Sequence, residues 1–210
     1  AKEVFLKRAA ALTQARMKAA QDLSKAVTDE MQHLSMTGGC LQITLPKCDP
    51  WAGGMERCEF LVSGHAGATP RPLTKVASGG ELARISLAIA VITAQITPVP
   101  TLIFDEVDSG IGGAVAEVVG RLLRRLGHNR QVLCVTHLPQ VAAYANNQWL
   151  VQKETHDEVT TSSLRPLSDE ERIREIARMA GGLQITNATL KSAQELIESA
   201  KRADGNGEKN

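Results

Sequence analysis

Two short runs constrain this chain more than anything else in it: Ser78-Gly79-Gly80-Glu81, and further along Thr101-Leu102-Ile103-Phe104-Asp105-Glu106. The first has the S-x-x-E spacing that opens a helix, with two residues lacking side chains between its members. The second is an apolar strand that ends in two carboxylates. The units after it repeat the alternation. A strand over 101–104 is followed by a helix over 114–126 with Val115, Val118, Val119, Leu122 and Leu126 on one face. A second strand covers 131–136, and its helix starts at Pro139, a residue suited to the first helical position. Continuous apolar strands alternating with helices predict an α/β fold, with a mostly parallel sheet flanked by helices.

The rest of the chain fits around that lobe. Residues 1–36 contain neither Pro nor Gly and are rich in good helix formers. Leu6, Ala10, Thr13, Met17, Ala20, Ser24, Val27, Met31 and Leu34 recur at spacings of four and three, a heptad seam with weak members in its middle. This predicts one arm of a coiled coil whose partner strand is not in the chain. A plain surface helix is the other account. Strands are expected at 41–45 and 59–62, joined by a loop holding Pro46, Pro50 and Gly53-Gly54, with a further loop over 64–72. Ser78 begins a helix whose apolar residues, from Leu82 to Ile92, cover most of its circumference. A hairpin over 148–153 and 158–164 follows the second α/β strand. Ser168 caps a helix that Gly181-Gly182 end, and a last helix covers 188–202. The organisation expected is an arm at 1–36, a lobe at 37–203 and a polar, disordered tail at 204–210.

Ligands of such sheets bind at the carboxyl ends of the strands. Asp105, Glu106 and His137 all sit there, which predicts that they lie near one another. A carboxylate pair at that place suits a hydrated Mg²⁺ and an attacking water. Acidic residues also end strands simply to cap the next helix. His137 can donate to a phosphate oxygen, or be structural. Ser78-Gly79-Gly80-Glu81 is either a capping box alone or a turn bared so that an anion can reach the helix N-terminus. Asp108-Ser109-Gly110 reads as a turn. Nothing in the chain fits G-x-x-x-x-G-K-[ST], so hydrolytic carboxylates occur without a phosphate-cradling loop. That combination predicts a lobe whose phosphate-holding part lies on other polypeptide, upstream of residue 1.

Bulk properties narrow the class. A formal net charge of +1 offers no electrostatic case for nucleic acid or membrane. The Arg121, Arg124, Arg125 and Arg130 cluster fits a solvated helix face. Aromatic residues make up 3% of the chain, so the core must be aliphatic. The cysteines (Cys40, Cys48, Cys58, Cys134) show no C-x-x-C pairing, which argues against zinc and predicts reduced thiols in a soluble, cytoplasmic protein.

Taken together, the motifs resemble those of ABC-type ATPases. Ala77-Ser78-Gly79-Gly80-Glu81 is similar to their signature motif and Leu102-Ile103-Phe104-Asp105-Glu106 to their Walker B strand. Val107-Asp108-Ser109-Gly110 is similar to their D-loop, and Thr136-His137 to their switch histidine. Transporter members usually carry Gln at the position of Glu81. Glu81 and the long preceding helix instead resemble the SMC-like branch, and within it the bacterial DNA-repair members, through Thr136-His137-Leu138-Pro139-Gln140-Val141-Ala142 and Ala177-Arg178-Met179-Ala180-Gly181-Gly182.

That resemblance implies the C-terminal lobe of an ATPase head with its returning coiled-coil arm. It further implies ATP and Mg²⁺ as ligands, the N-terminal head lobe and a second head as partners, and DNA as target. Ser78, Gly79, Gly80 and Glu81 would touch the nucleotide of the opposite head. Asp105 (on Mg²⁺, through water or directly), Glu106 and His137 would act on their own head's nucleotide, with Asp108, Ser109 and Gly110 forming the D-loop. Another SMC-like or transporter-type ATPase, or a non-catalytic interaction module, are the rival expectations.

Overall fold

Helix α1 (Lys2–His33) runs for 32 residues, about 48 Å at the α-helical rise. The computed structural model describes residues 1–76, 78–94, 96, 99–156, 159–181 and 184–205. They form two compact units, Ala1–Pro98 and Val99–Asn210.

In the first unit the expected heptad seam of α1 is divided. Val27, Met31 and Leu34 are fully buried, whereas Leu6 is 42% and Met17 52% exposed. The C-terminal half of the helix packs on strand β1 (Cys40–Thr44) and on helix α2 (Gly79–Ile92). Nearer its start, α1 turns Ala9, Thr13 and Arg16 toward a hairpin of β2 (Lys47–Trp51) and β3 (Gly54–Glu56), so Leu6, Ala10 and Met17 of the seam face outward. That hairpin occupies the segment expected to be loop. Arg16 Nη1 donates to Glu56 Oε1 at 2.9 Å and to the Gly53 carbonyl at 2.8 Å, while Thr13 Oγ1 donates to Glu56 Oε2 at 2.8 Å. Arg16 first, then Thr13, hold the Glu56 carboxyl below the usual carboxylate range.

Strand β1 pairs antiparallel with β4 (Glu59–Ser63), which pairs with the short β5 (Arg71–Pro72). Among the described residues this leaves one edge of β1 without a strand, and α1 covers it. Ser24 Oγ accepts from Ile43 N–H, and Thr28 Oγ1 accepts from Leu41 N–H and donates to its carbonyl. Gln32 Nε2 donates to the Gly39 carbonyl. Four residues of helix advance about 6 Å and two of strand about 6.8 Å. One helix face can therefore answer alternate strand residues in step, which blunts the edge against foreign pairing. Helix α2 buries Ile85, Leu87, Ala88 and Val91 but leaves Leu82 37% exposed, so it is wrapped less completely than its composition suggested.

In the second unit, β6 (Thr101–Phe104) and β7 (Gln131–Cys134) pair in parallel, with Phe104 opposite Cys134. The crossover is α3 (Gly113–Gly127), which buries Ala116, Val119, Leu122, Leu123 and Leu126. Helix α4 (Pro139–Ala143) follows, then an antiparallel hairpin of β8 (Trp149–His156) and β9 (Val159–Pro166). Helix α5 (Asp169–Gly181) opens on a complete capping box. Glu171 N–H donates to Ser168 Oγ and Ser168 N–H to Glu171 Oε2. Helix α6 (Asn187–Gly205) takes in Asp204 and Gly205, which were expected in the tail; residues 206–210 of that tail, and Gly182 of the expected helix stop, lie outside the described residues.

The core of this unit joins α4, α5 and α6 through Ala142, Ala143, Tyr144, Ile176, Ala177, Ala193, Ile197 and Ala200. Small residues let the helices approach closely, and Gly120 of α3 shows how closely. A Cβ there would stand 2.6 Å from Tyr144 Cδ2 and 3.0 Å from its Cγ. Gly→Ala in an exposed helix would gain about 1 kcal/mol from propensity. Here overpacking, which typically costs about 1–3 kcal/mol, outweighs it. Gly120→Ala is expected to lower the thermal midpoint, as read by a circular-dichroism melt.

The α/β class stands, but parallel pairing is narrower than expected. Among the described residues it is confined to β6 and β7, and the other pairs are antiparallel. The reason lies in the faces of the pair. Leu102, Phe104, Val132 and Cys134 turn inward, while Ile103 (70%), Leu133 (47%) and Val135 (63%) stay exposed. Apolar residues on both faces signal a strand buried on both sides. In this chain the outward face has no cover among the described residues.

Candidate functional site

The turn before α2 is built as a helix N-terminus. Ser78 takes an extended conformation as N-cap, and its Oγ accepts from Glu81 N–H at 3.3 Å. Ser78 and Gly79 are exposed and Gly80 is buried. The Glu81 carboxylate lies over Gly64, where a Cβ would meet its Oε1 at 3.4 Å. Ala77 lies outside the described residues. Unpaired N–H groups of the first helical turn, uncrowded by side chains at 79 and 80, can receive a phosphate oxygen.

The second constellation belongs to the other unit. Asp105 and Glu106 leave the end of β6, and His137 stands just past the same end of its parallel neighbour β7. Val135 N–H donates to the Phe104 carbonyl at 3.0 Å and prolongs the pairing to that point. Adjacent parallel strands thus end at one sheet edge, with these three residues following them. Both carboxylates are exposed. Asp105 Oδ1 accepts from Glu106 N–H at 2.9 Å, and Glu106 has φ 57°, in the left-handed region a non-glycine residue rarely takes. Gly110, with φ 72°, turns the loop that follows, beside exposed Ser109.

Asp108 is different: it is only 2% exposed. Its Oδ2 accepts from Thr136 Oγ1 at 2.5 Å and from His137 N–H at 3.0 Å, and stands 3.3 Å from His137 Nδ1. Thr136 also accepts from Leu138 N–H at 3.1 Å, tying the loop to the start of α4. Beneath lies Cys134, whose thiol is pushed up to about 12 by burial first and then by Asp108 and Asp105. It stays protonated and inert at neutral pH. Sequence reasoning assigned no part to Thr136, to Cys134, or to the buried Arg172 that caps α4. Thr136 had a signal: it continues the inward alternation of β7, where a polar residue needs a partner.

Among the described residues no group of three or more His, Cys, Asp or Glu forms a metal cage. One exposed carboxylate with a free oxygen, as at Asp105, suits Mg²⁺ held jointly by water and substrate phosphates rather than by protein alone. All four cysteines are free. Among the described residues no helix is long and apolar enough to cross a membrane.

No family model matches the chain. Individual relatives do. It is 47% identical over 190 residues to the DNA repair protein RecN of Xylella fastidiosa strain 9a5c, covering 89% of this chain and 34% of that protein. It is 46% identical over 200 residues to RecN of Vibrio cholerae, covering 94% and 36%. Along most of its length, this is the sequence of a RecN-family segment. The chain spans about a third of the length of these RecN proteins. Among solved structures it is similar to the Smc head domain with a coiled coil and joint of Pyrococcus yayanosii. The TM-score there is 0.56 at 22% identity, over 78% of this chain and 30% of that one. A Pyrococcus furiosus Smc head domain with an extended coiled coil gives a TM-score of 0.52 at 23% identity, over 77% and 39%. At that identity the likeness speaks to the fold alone.

Proposed function

We propose that this chain is the C-terminal half of an SMC-like ATPase head that closes on ATP with a second head and hydrolyses it, in DNA double-strand-break repair and recombination. One observation carries the chemistry: Asp105-Glu106 and His137 end adjacent parallel strands, with Glu106 in a backbone conformation that only a constrained loop sustains. The relatives' description as DNA repair proteins supports the biological setting.

In this reading Glu106 orients the attacking water and accepts its proton as the water oxygen bonds to the γ-phosphorus and the bond to ADP breaks. Asp105 would hold Mg²⁺, directly or through a water, and the ion would supply neutralisation of phosphate charge. His137 donates to a γ-phosphate oxygen. Ser78, Gly79, Gly80 and Glu81 meet the nucleotide held by the opposite head, and Asp108-Ser109-Gly110 forms the loop at the head boundary. An N-terminal head lobe, carrying the phosphate loop, covers the apolar outward face at Ile103, Leu133 and Val135. Cytoplasmic placement and action on DNA follow from the RecN kinship.

The test is additive. The 210-residue chain by itself is expected to release no phosphate from ATP above background, and co-production with the N-terminal lobe of the same protein is expected to restore Mg²⁺-dependent turnover. Robust hydrolysis by the chain alone, or none by the joined lobes, would contradict the reading.

A further inference from the structure

We infer that Asp108 is a positioning residue inside its own lobe: it holds the His137 ring with Nδ1–H turned inward and Nε2 presented to solvent. This rests on the reading of His137 given above. A D-S-G segment is ordinarily a surface turn, yet the Asp108 side chain is buried and a single oxygen gathers the Thr136 hydroxyl, the His137 backbone N–H and the His137 ring. An ionised carboxylate accepts only. Nδ1 stands 3.3 Å away, at ion-pair distance, where a lone pair on Nδ1 would be repelled by the carboxylate oxygen and a proton there would be attracted. In a neutral ring the proton then sits on Nδ1 and Nε2 is an acceptor, so the donation to a γ-phosphate oxygen is made from Nε2 when the ring holds its second proton. A buried carboxylate behind an imidazole fixes tautomer and orientation in this way wherever a histidine must hold or hand on a proton at one chosen nitrogen.

Thr136 completes the device. Its hydroxyl donates to Asp108 and accepts from Leu138 N–H, so the residues on both sides of His137 are pinned to the same carboxylate system. Glu106 N–H is held by Asp105, so the two catalytic candidates have separate supports. The Asp108 carboxylate is occupied within the lobe. Of the segment's three members, only Ser109 and Gly110 remain exposed to a second head.

The test has two independent readouts. Long-range ¹H–¹⁵N spectra of the histidine rings in this chain, with the His137 signals assigned by their loss in His137→Gln, are expected to show the Nδ1–H tautomer. Asp108→Asn is expected to yield a mixture with Nε2–H. A wild-type ring carrying its proton on Nε2 overturns the proposal whether or not the variant folds. So does a folded Asp108→Asn chain whose ring remains wholly Nδ1–H. In the full-length protein, Asp108→Asn is expected to lower kcat for ATP about tenfold with KM within about twofold, the pattern of an interaction made only in the transition state. A changed tautomer with unchanged kcat would confirm the positioning and overturn the catalytic reading of His137 instead.

Discussion

Glu106→Gln in the full-length protein is expected to lower ATP turnover by about 10²–10⁴-fold, the usual worth of a positioned general base, while nucleotide binding survives. The substitution keeps shape and hydrogen-bonding reach but removes the ability to take a proton. The reason to choose Glu106 over Asp105 is geometric. Asp105 spends one oxygen on the Glu106 N–H, whereas Glu106 itself is exposed with φ 57°. A non-glycine residue held there costs on the order of 1–3 kcal/mol, and such strain collects where a side chain must point in a particular direction. With hydrolysis blocked, the proposed two-headed state has no exit, so ATP-loaded dimers are expected to accumulate in size-exclusion chromatography with ATP and Mg²⁺. Phosphate release at the wild-type rate would remove Glu106 from the role of base.

How much of this was legible in the sequence depends on how local the determinant is. The N-cap at Ser78, the capping box at Ser168, the strand before Asp105, the strand before His137 and the hairpin after Gln148 are all set by near neighbours, and they stand where the pattern put them. The β2–β3 hairpin was not readable, because Pro50 and Gly53-Gly54 argue against a strand and the pairing is irregular between Lys47 and Trp51. What stabilises it is remote: Arg16 and Thr13 on α1 reach Glu56 across the sequence. The α1 seam was legible only in part, for a related reason. A heptad pattern records apolar spacing but not which partner is present, and β1 and α2 take half of the face that the seam assigned to a second coil. Asp108 is the sharpest case. Its neighbours in sequence suggest a turn open to solvent, and only its burial against the end of β7 reveals that the carboxylate is already engaged.

The same kind of remote determinant underlies the largest stability effect expected. Arg172 of α5 is 7% exposed, and its Nη2 donates to the carbonyls of Ala142 (3.1 Å), Ala143 (2.9 Å) and Ala145 (2.6 Å). Helix α4 is five residues long; the Ala142 carbonyl also accepts from Ala145 N–H at 3.2 Å, while the guanidinium answers the carbonyls of Ala143 and Ala145. Burial lowers the Arg172 pKa, with Asp169 acting in the opposite sense. Arg172→Met keeps most of the aliphatic stem and removes every donor, leaving the Ala143 and Ala145 carbonyls without the guanidinium at about 1–3 kcal/mol for each group not rescued by water. A loss of about 3 kcal/mol should lower the melting temperature of a chain this size by about 6–12 °C. Lys25→Ala, which breaks an exposed pair with Asp29, is the control and should leave the melting temperature nearly unchanged. Because α4 begins directly after Leu138, whose N–H is held by Thr136, loosening its far end should also loosen His137. Arg172→Met should therefore depress turnover in the joined head well below its melting point. Arg172→Lys, which keeps one charged donor group, should recover part of both. An unchanged melting temperature in Arg172→Met would mean that α4 is held by its apolar contacts to α5 and α6 alone.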